Sequence, residues 1–255
     1  MIDALYISAT GLRSQQAQID VISNNVANMQ TPGFKKSRVN FAEITSTASA
    51  STGSTQQQQS KGAGTRVMST LPIFSEGEMR LTQNPTDLAI DGNGFFELEN
   101  AVGEKVYTRS GQLRINDEGN LTTVNGLRLG QSIQIPPDAK AMLISATGEI
   151  SALLGSDTAR TQIGSIELAT FASSDALQAI GDNTFAPTEA SGAASLGKPG
   201  DSGYGKLQQG SLEMANVNLI DEMTNLMLAQ RAYQMNARVL QASDQILETI
   251  NNLRR

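Results

Sequence analysis

The C-terminal stretch Asn216 to Arg255 constrains this chain most: it reads as one long helix with two apolar stripes. The first stripe runs Leu219, Met223, Leu226, Tyr233, Ala237, Leu240 and Leu247, with Gln230 and Asp244 in the skipped positions. Steps of three, four or seven are the heptad spacing of a coiled-coil seam. The second stripe runs Leu228, Ala232, Met235, Val239, Ala242, Ile246, Ile250 and Leu253, and at about 100° per residue it lies roughly opposite the first. A helix of about 37 residues with about 1.5 Å of rise each is about 55 Å long, more than a compact domain of this size needs. Two seams require at least two neighbours.

One neighbour is the other end of the chain. Ile2, Leu5, Ala9, Leu12, Ile19, Ile22 and Val26 recur at spacings of three, four or seven, with Gln16 in the skipped position, which predicts a second helix over residues 2–28, about 40 Å long. Gln16 and Gln230 are then either polar residues that fix register or ordinary partly exposed positions. The helix must stop within Asn24-Asn25-Val26-Ala27-Asn28-Met29-Gln30-Thr31-Pro32-Gly33-Phe34. Asn28 tolerates a left-handed C-cap, Pro32 has no N–H to continue a helix, Gly33 permits positive φ, and Phe34 supplies an anchor beyond the turn. Simple helix termination accounts for Pro32 and Gly33 but less economically for Asn24, Asn25 and Asn28 together.

The middle changes period. Lys35 to Phe41 is expected to be extended and basic, and Ser46 to Gly64, with its run Gln56 to Gln59, offers nothing to build a core from. It is a flexible excursion or a segment that orders on assembly. From Arg66 to about Thr188 short β-type runs alternate with turn signals: Leu88-Ala89-Ile90, Phe95 to Leu98, Val106 to Thr108, Leu113 to Ile115, Ile133 to Ile135, Ala141 to Ser145, Glu149 to Leu154 and Ile163 to Phe171. Asn125-Gly126 suits a two-residue type I′ turn in a hairpin over Leu121 to Leu129. Ala190 to Gly205 reads as a return linker and Leu207 to Glu213 as a last strand. Asn216 or Asn218 caps the terminal helix, with Asp221 and Glu222 complementing its dipole. The fold class is therefore α+β: long N- and C-terminal helices forming a coiled-coil-like core domain, an inserted all-β domain, and extended linkers. The expected boundaries are 1–34, 35–65, 66–190, 191–215 and 216–255.

Composition removes several functions. With no His and no Cys, the chain lacks the commonest general base, the commonest metal ligand, and any disulfide or thiolate. A net charge of −6 argues against a nucleic-acid binder. No run approaches the roughly 18 apolar residues of a membrane span, and the first residues lack the basic-then-apolar pattern of a secretory signal, so the chain is expected to stay in the cytosol or to leave by a route that does not read a cleaved leader. Aromatics make up only 4%, which favours a chain that is extended, solvated or assembled with copies of itself. Asp87 and Asp91 near Asn93 are the best candidate carboxylate or Ca²⁺ site, but turns need these residues anyway. Gly62-Ala63-Gly64-Thr65 lacks the Gly-Lys-Ser/Thr ending of a phosphate loop, and Met223, Met227 and Met235 are more simply packing residues than a cofactor box. No catalytic residue, metal or cofactor is expected.

The run Gly11-Leu12 through Asn24-Asn25-Val26-Ala27-Asn28 and Thr31-Pro32-Gly33-Phe34-Lys35 resembles the N-terminal signature of bacterial flagellar rod and hook proteins. Gly210-Ser211-Leu212-Glu213, Asn216-Val217-Asn218, Glu222-Met223, Gln230-Arg231-Ala232-Tyr233, Asn236 and Asp244-Gln245-Ile246-Leu247 look like the matching C-terminal signature, and Leu88 to Phe96 and Tyr107 to Gly111 look like that family's central β domain. The resemblance covers nearly the whole chain in order. The chain has no room for the further β domain of hook proteins, and its length and its Gln230-Arg231-Ala232-Tyr233 helix resemble the distal rod members most, with a proximal rod or hook-type subunit as the alternative. The resemblance implies a structural subunit of the basal-body rod that forms a helical tube and transmits torque. Its terminal helices would line the inner core, and its β domain the outer shell. Its implied partners are copies of itself, other rod proteins and the hook protein, the surrounding envelope rings and the flagellar export apparatus, with neither nucleic acid nor membrane insertion. A surface adhesin whose β domain holds a ligand is the alternative of a different class, and a carbohydrate-active enzyme using Asp87 and Asp91 is the weakest reading.

Overall fold

The computed structural model describes residues 2–47, 60–100, 102–131, 133–154 and 160–253, so the centre of the expected Gln-rich excursion lies outside the described residues. The chain divides into two compact units. The first comprises 1–27, 37–71 and 218–255, the second 28–36 and 72–217.

The first unit contains α1 (Ile2–Ala27), β1 (Ser37–Thr47), β2 (Ser60–Pro72) and α2 (Leu219–Leu253). β1 and β2 pair as a two-stranded sheet. The stretch expected to be an extended linker, 35–65, therefore includes β1 and the start of β2. α1 packs along α2 and also touches β1. The start of α2 is set by Asn218, whose side-chain oxygen accepts the Ile220 N–H at 3.0 Å while its carbonyl accepts the Glu222 N–H at 3.0 Å, the two bonds of an N-cap. Asn216 has a different task, described below.

The second unit is a β domain. Its strands are β3 (Met79–Leu81), β4 (Leu88–Asp91), β5 (Phe95–Glu99), β6 (Lys105–Thr108), β7 (Leu113–Ile115), β8 (Leu121–Thr123), β9 (Arg128–Leu129), β10 (Ala139–Ile144) and β11 (Glu149–Leu154). They continue with β12 (Arg160–Ser165), β13 (Leu168–Thr170), β14 (Gln178–Gly181), β15 (Thr184–Ala186), β16 (Ser195–Gly197), β17 (Lys206–Gln209) and β18 (Ser211–Glu213). The main sheet runs β14-β15-β6-β5-β9-β8-β7, with β13 joining β5 to β16; β10-β11-β12 form a second sheet, and β17-β4 and β18-β3 are separate pairs.

β5 explains how so few aromatics suffice. Phe96 and Leu98 point into a core with Leu88, Ile90, Val106, Leu113, Leu121, Ile150 and Leu168, while Phe95, on the opposite face, joins Tyr107, Ala169, Leu177 and Phe185. Phe74 stands edge-on to Phe95 and Phe185 at 5.1 and 5.0 Å, the arrangement the ring quadrupoles favour. A strand buried on both faces reads as a continuous apolar run rather than an alternating one, as Phe95-Phe96 does.

Several local expectations change. At the hairpin tip only Gly126 has positive φ (83°), its N–H donates to Thr123 O at 3.0 Å, and Thr123 N–H donates to Leu127 O at 2.8 Å. That is a three-residue loop with a glycine bulge, not the expected two-residue type I′ turn. Ile133 and Ile135 are buried on either side of an isolated bridge from Gln134 to Asn120 instead of forming a strand. Ile163 to Phe171 divides into β12 and β13, and Leu207 to Glu213 divides into β17 and β18 around Gly210, whose φ is 74°. The expected return linker holds β16, and Ser191 at its start is fully buried.

Candidate functional site

In the first unit the geometry is dominated by α2. Its least exposed residues are Glu222 and Ala229, followed by Leu226, Ala232, Asn236, Ala237, Leu240, Ser243 and Leu247. Leu226, Leu240 and Leu247 belong to the first apolar stripe, but Leu219, Met223 and Tyr233 from that stripe are exposed, Met223 by 53%. The inward face is thus turned toward the row Glu222, Ala229, Asn236 and Ser243, one residue before the row Met223, Gln230, Ala237 and Asp244. Small and polar residues occupy it because the helices approach closely: a Cβ on Gly11 would meet Asn236 Nδ2 at 3.0 Å. On α1 the buried positions are Ser8, Thr10, Ser14, Ile22 and Asn25. Leu5, Leu12, Ile19 and Val26 are half-buried. Ile2 is helical, with no side-chain description. Gln16 is exposed and donates to Asp20 at 2.9 Å, and Gln230 is also exposed.

This seam is polar at one end. Asn25 Nδ2 donates to Ser37 O at 3.0 Å and lies 3.4 Å from Glu222 Oε2, while Asn25 Oδ1 accepts the Ser37 N–H at 3.0 Å. Asn25 therefore holds the first residue of β1 by both backbone groups. A hydrophobic pattern cannot reveal such a residue; the unexplained asparagine cluster was the only sequence signal.

The opposite face of α2 has no cover among the described residues of the first unit. Leu228, Met235, Val239, Ile246 and Leu253 are 58%, 67%, 50%, 51% and 82% exposed. Ile220, Met227 and Ile250 extend the same exposed apolar surface.

In the second unit the motif turn is fixed by a buried ion triad. Gly33 (φ 72°) donates its N–H to Glu213 O at 2.7 Å, and a Cβ there would fall 2.5 Å from Ser110 N. Asn28 O and Thr31 O accept the N–H groups of Thr31 and Phe34, and Pro32 O accepts from Asn183 Nδ2. Two residues beyond Gly33, Lys35 Nζ donates to Glu213 Oε1 and to Ser75 O, both at 2.6 Å. Glu213 Oε1 also accepts the Gly77 N–H at 2.9 Å. Arg109 Nε lies 3.1 Å from Glu213 Oε2 in a charge contact without hydrogen-bond alignment. Its Nη1 donates to Gly92 O and Gly94 O at 2.8 and 2.7 Å. All three side chains are buried. Burial pushes the Lys35 ammonium below the ordinary lysine value, opposed by Glu213 and reinforced by Arg109. Asn216 closes the arrangement, accepting the Lys36 N–H and donating to Ile73 O, each at 2.8 Å. Gly33 and Phe34 stand out in the sequence by their turn chemistry, whereas Lys35, Arg109 and Glu213 fall in three separate family-like runs whose meeting carries no periodic signal, since they are so far apart in sequence.

The carboxylate candidates do not converge. Asp87 accepts from Thr82 Oγ1 at 2.7 Å and Asn84 Nδ2 at 3.1 Å, a turn role, while Asp91 is exposed at the end of β4. Among the described residues no group of three His, Cys, Asp or Glu side chains is placed to hold a metal.

Three family models match the chain in order. Residues 5–35 match "Flagella basal body rod protein", residues 89–152 match "Flagellar hook protein FlgE/F/G D1 domain", and residues 208–253 match "Flagellar basal body rod FlgEFG protein C-terminal". The chain is 38% identical to the flagellar basal-body rod protein FlgG of Caulobacter vibrioides, over 99% of this chain and 100% of the relative. It is 38% identical to that of Bacillus subtilis and 35% identical to that of Borreliella burgdorferi, each over 100% of both chains. The chain belongs to the bacterial flagellar rod and hook family. Within it the similarity is to the distal rod protein, and the function is that of a structural rod subunit; nothing in these relatives supports an adhesin.

Proposed function

We propose that the chain polymerises with copies of itself into a helical tubular shaft that carries torque from motor to hook, and that it has no catalytic activity. The observation that carries this reading is the exposed apolar face of α2 in a chain that matches a rod protein over 99% of its length. A subunit with a heterologous, non-closing contact builds an open helical array. In that array α1 and α2 pair in a coiled-coil-like manner, and Leu228, Met235, Val239, Ile246 and Leu253 meet the helices of neighbouring copies. Other rod proteins and the hook protein continue the shaft at its ends, the envelope rings surround it, and the flagellar export apparatus delivers the subunit across the envelope. The absence of Cys suits a chain that passes from a reducing to an oxidising compartment.

Val239→Asp tests the reading. Val239 is 50% exposed in the subunit, so the change leaves the fold intact, but burying an unpaired carboxylate between copies costs several kcal/mol. The expected result is a variant with native circular dichroism that gives basal bodies lacking a completed rod. Normal rods containing Val239→Asp would overturn the assignment of this face.

A further inference from the structure

We propose that Met223, Met227 and Met235 form an oxidation site through which two-electron oxidants of the hydroperoxide class block assembly of the free subunit; this rests on the reading of the α2 face given above. With no cysteine in the chain, the methionine thioethers are its only sulfur nucleophiles. They divide by environment. Met223, Met227 and Met235 are 53%, 53% and 67% exposed on α2, and Met68 on β2 is 72% exposed, whereas Met29, Met79, Met142 and Met214 are partly covered. The three on α2 are also arranged together. Met223, Met227, Arg231, Met235 and Val239 follow one another at four-residue steps, which places them along one ridge of the helix, the kind of ridge that enters a groove between side chains of a facing helix.

The reaction balances without any group from the protein. A sulfur lone pair attacks one peroxide oxygen and the O–O bond breaks. The departing hydroxide takes the proton of the oxygen now bonded to sulfur, so hydrogen peroxide is reduced to water as the thioether is oxidised by two electrons to the sulfoxide. A flexible apolar side chain becomes a polar one. Its S=O oxygen loses water on entering an apolar contact and, without a donor there, opposes burial. The unassembled subunit is the vulnerable form, since in the shaft the same sulfur atoms are covered by neighbouring copies. Sulfoxide reductases reverse the change, so the block is reversible.

The purified full-length chain is treated with hydrogen peroxide, mapped by peptide mass spectrometry, and assayed for polymer by sedimentation and electron microscopy. The expected result is oxygen addition at Met68, Met223, Met227 and Met235 before Met142, with loss of polymerisation. Polymerisation should return after treatment with the two methionine sulfoxide reductases. It should also persist under peroxide in Met223→Leu/Met227→Leu/Met235→Leu, a volume-conserving change, but not in Met68→Leu. Undiminished polymerisation of the oxidised chain, equal sensitivity of the triple variant, or protection by Met68→Leu alone would overturn the proposal. If neither the unoxidised chain nor the triple variant polymerises, the self-assembly reading itself fails, a result distinguishable from failure of the oxidation step.

Discussion

Replacing Glu213 by glutamine removes one negative charge from a buried site that holds two cations. Lys35 and Arg109 both face Glu213, at 2.6 and 3.1 Å. Without it they oppose each other, as Arg109 already acts to lower the Lys35 pKa. Removing one partner of a buried ion pair costs about 3–5 kcal/mol because an uncompensated charge remains, and Glu213→Gln is expected at the upper end of that range. Lys35→Met is different, since it leaves one cation with one carboxylate that still accepts the Gly77 N–H. Its cost is the loss of charge-assisted hydrogen bonds to Glu213 and Ser75, about 1.5–3 kcal/mol. The two changes share a contact, so the double variant should fall short of the sum by about 0.5–3 kcal/mol. Urea denaturation followed by tyrosine fluorescence is the assay, Tyr107 being buried beside this domain's aromatic cluster and Trp being absent. With a slope of about 2 kcal/mol per molar urea, a loss of about 4 kcal/mol lowers the midpoint by about 2 M. A larger cost for Lys35→Met than for Glu213→Gln, or strict additivity, would refute the charge argument.

The same site has a pH signature. Burial lowers the Lys35 pKa from 10.5, so between the lowered value and 10.5 the unfolded chain holds a proton that the folded chain does not. Its contribution to stability grows as pH rises through that window and is complete above 10.5. The stability difference between the unsubstituted chain and Lys35→Met should therefore widen with alkaline pH, and a narrowing gap would contradict it; the opposite influences of Lys105 and Tyr107, whose pKa values are raised, cancel in the difference. Two glycines give a second comparison. Gly33→Ala and Gly126→Ala both force positive φ on alanine, at 72° and 83°, but only at Gly33 does the new Cβ meet backbone, at 2.5 Å from Ser110 N. Strain at Gly126 should cost about 1 kcal/mol, and Gly33→Ala should cost clearly more in the same urea assay; equal losses would show that the Gly33 contact relaxes.

The terminal helices and most central strands were legible because each is a local periodic pattern. Leu5 through Val26 repeat at helical spacing, and Leu88-Ala89-Ile90 and Phe95-Phe96 stand between turn residues. The turn at Thr31-Pro32-Gly33 was legible from residue chemistry alone, and so was the surplus of apolar surface on α2. Tertiary structure decided what local patterns do not encode. It turned α2 toward Glu222, Ala229, Asn236 and Ser243, because the distance between two helices is set by the smallest residues between them, Gly11 included, while hydropathy weights the largest. It drew Lys35, Arg109 and Glu213 into one buried site, because opposite charges removed from water must find each other wherever the chain has placed them. Periodicity alone shows that this chain carries a helix face in need of a partner; the packing of α1 against α2 fixes which face that is.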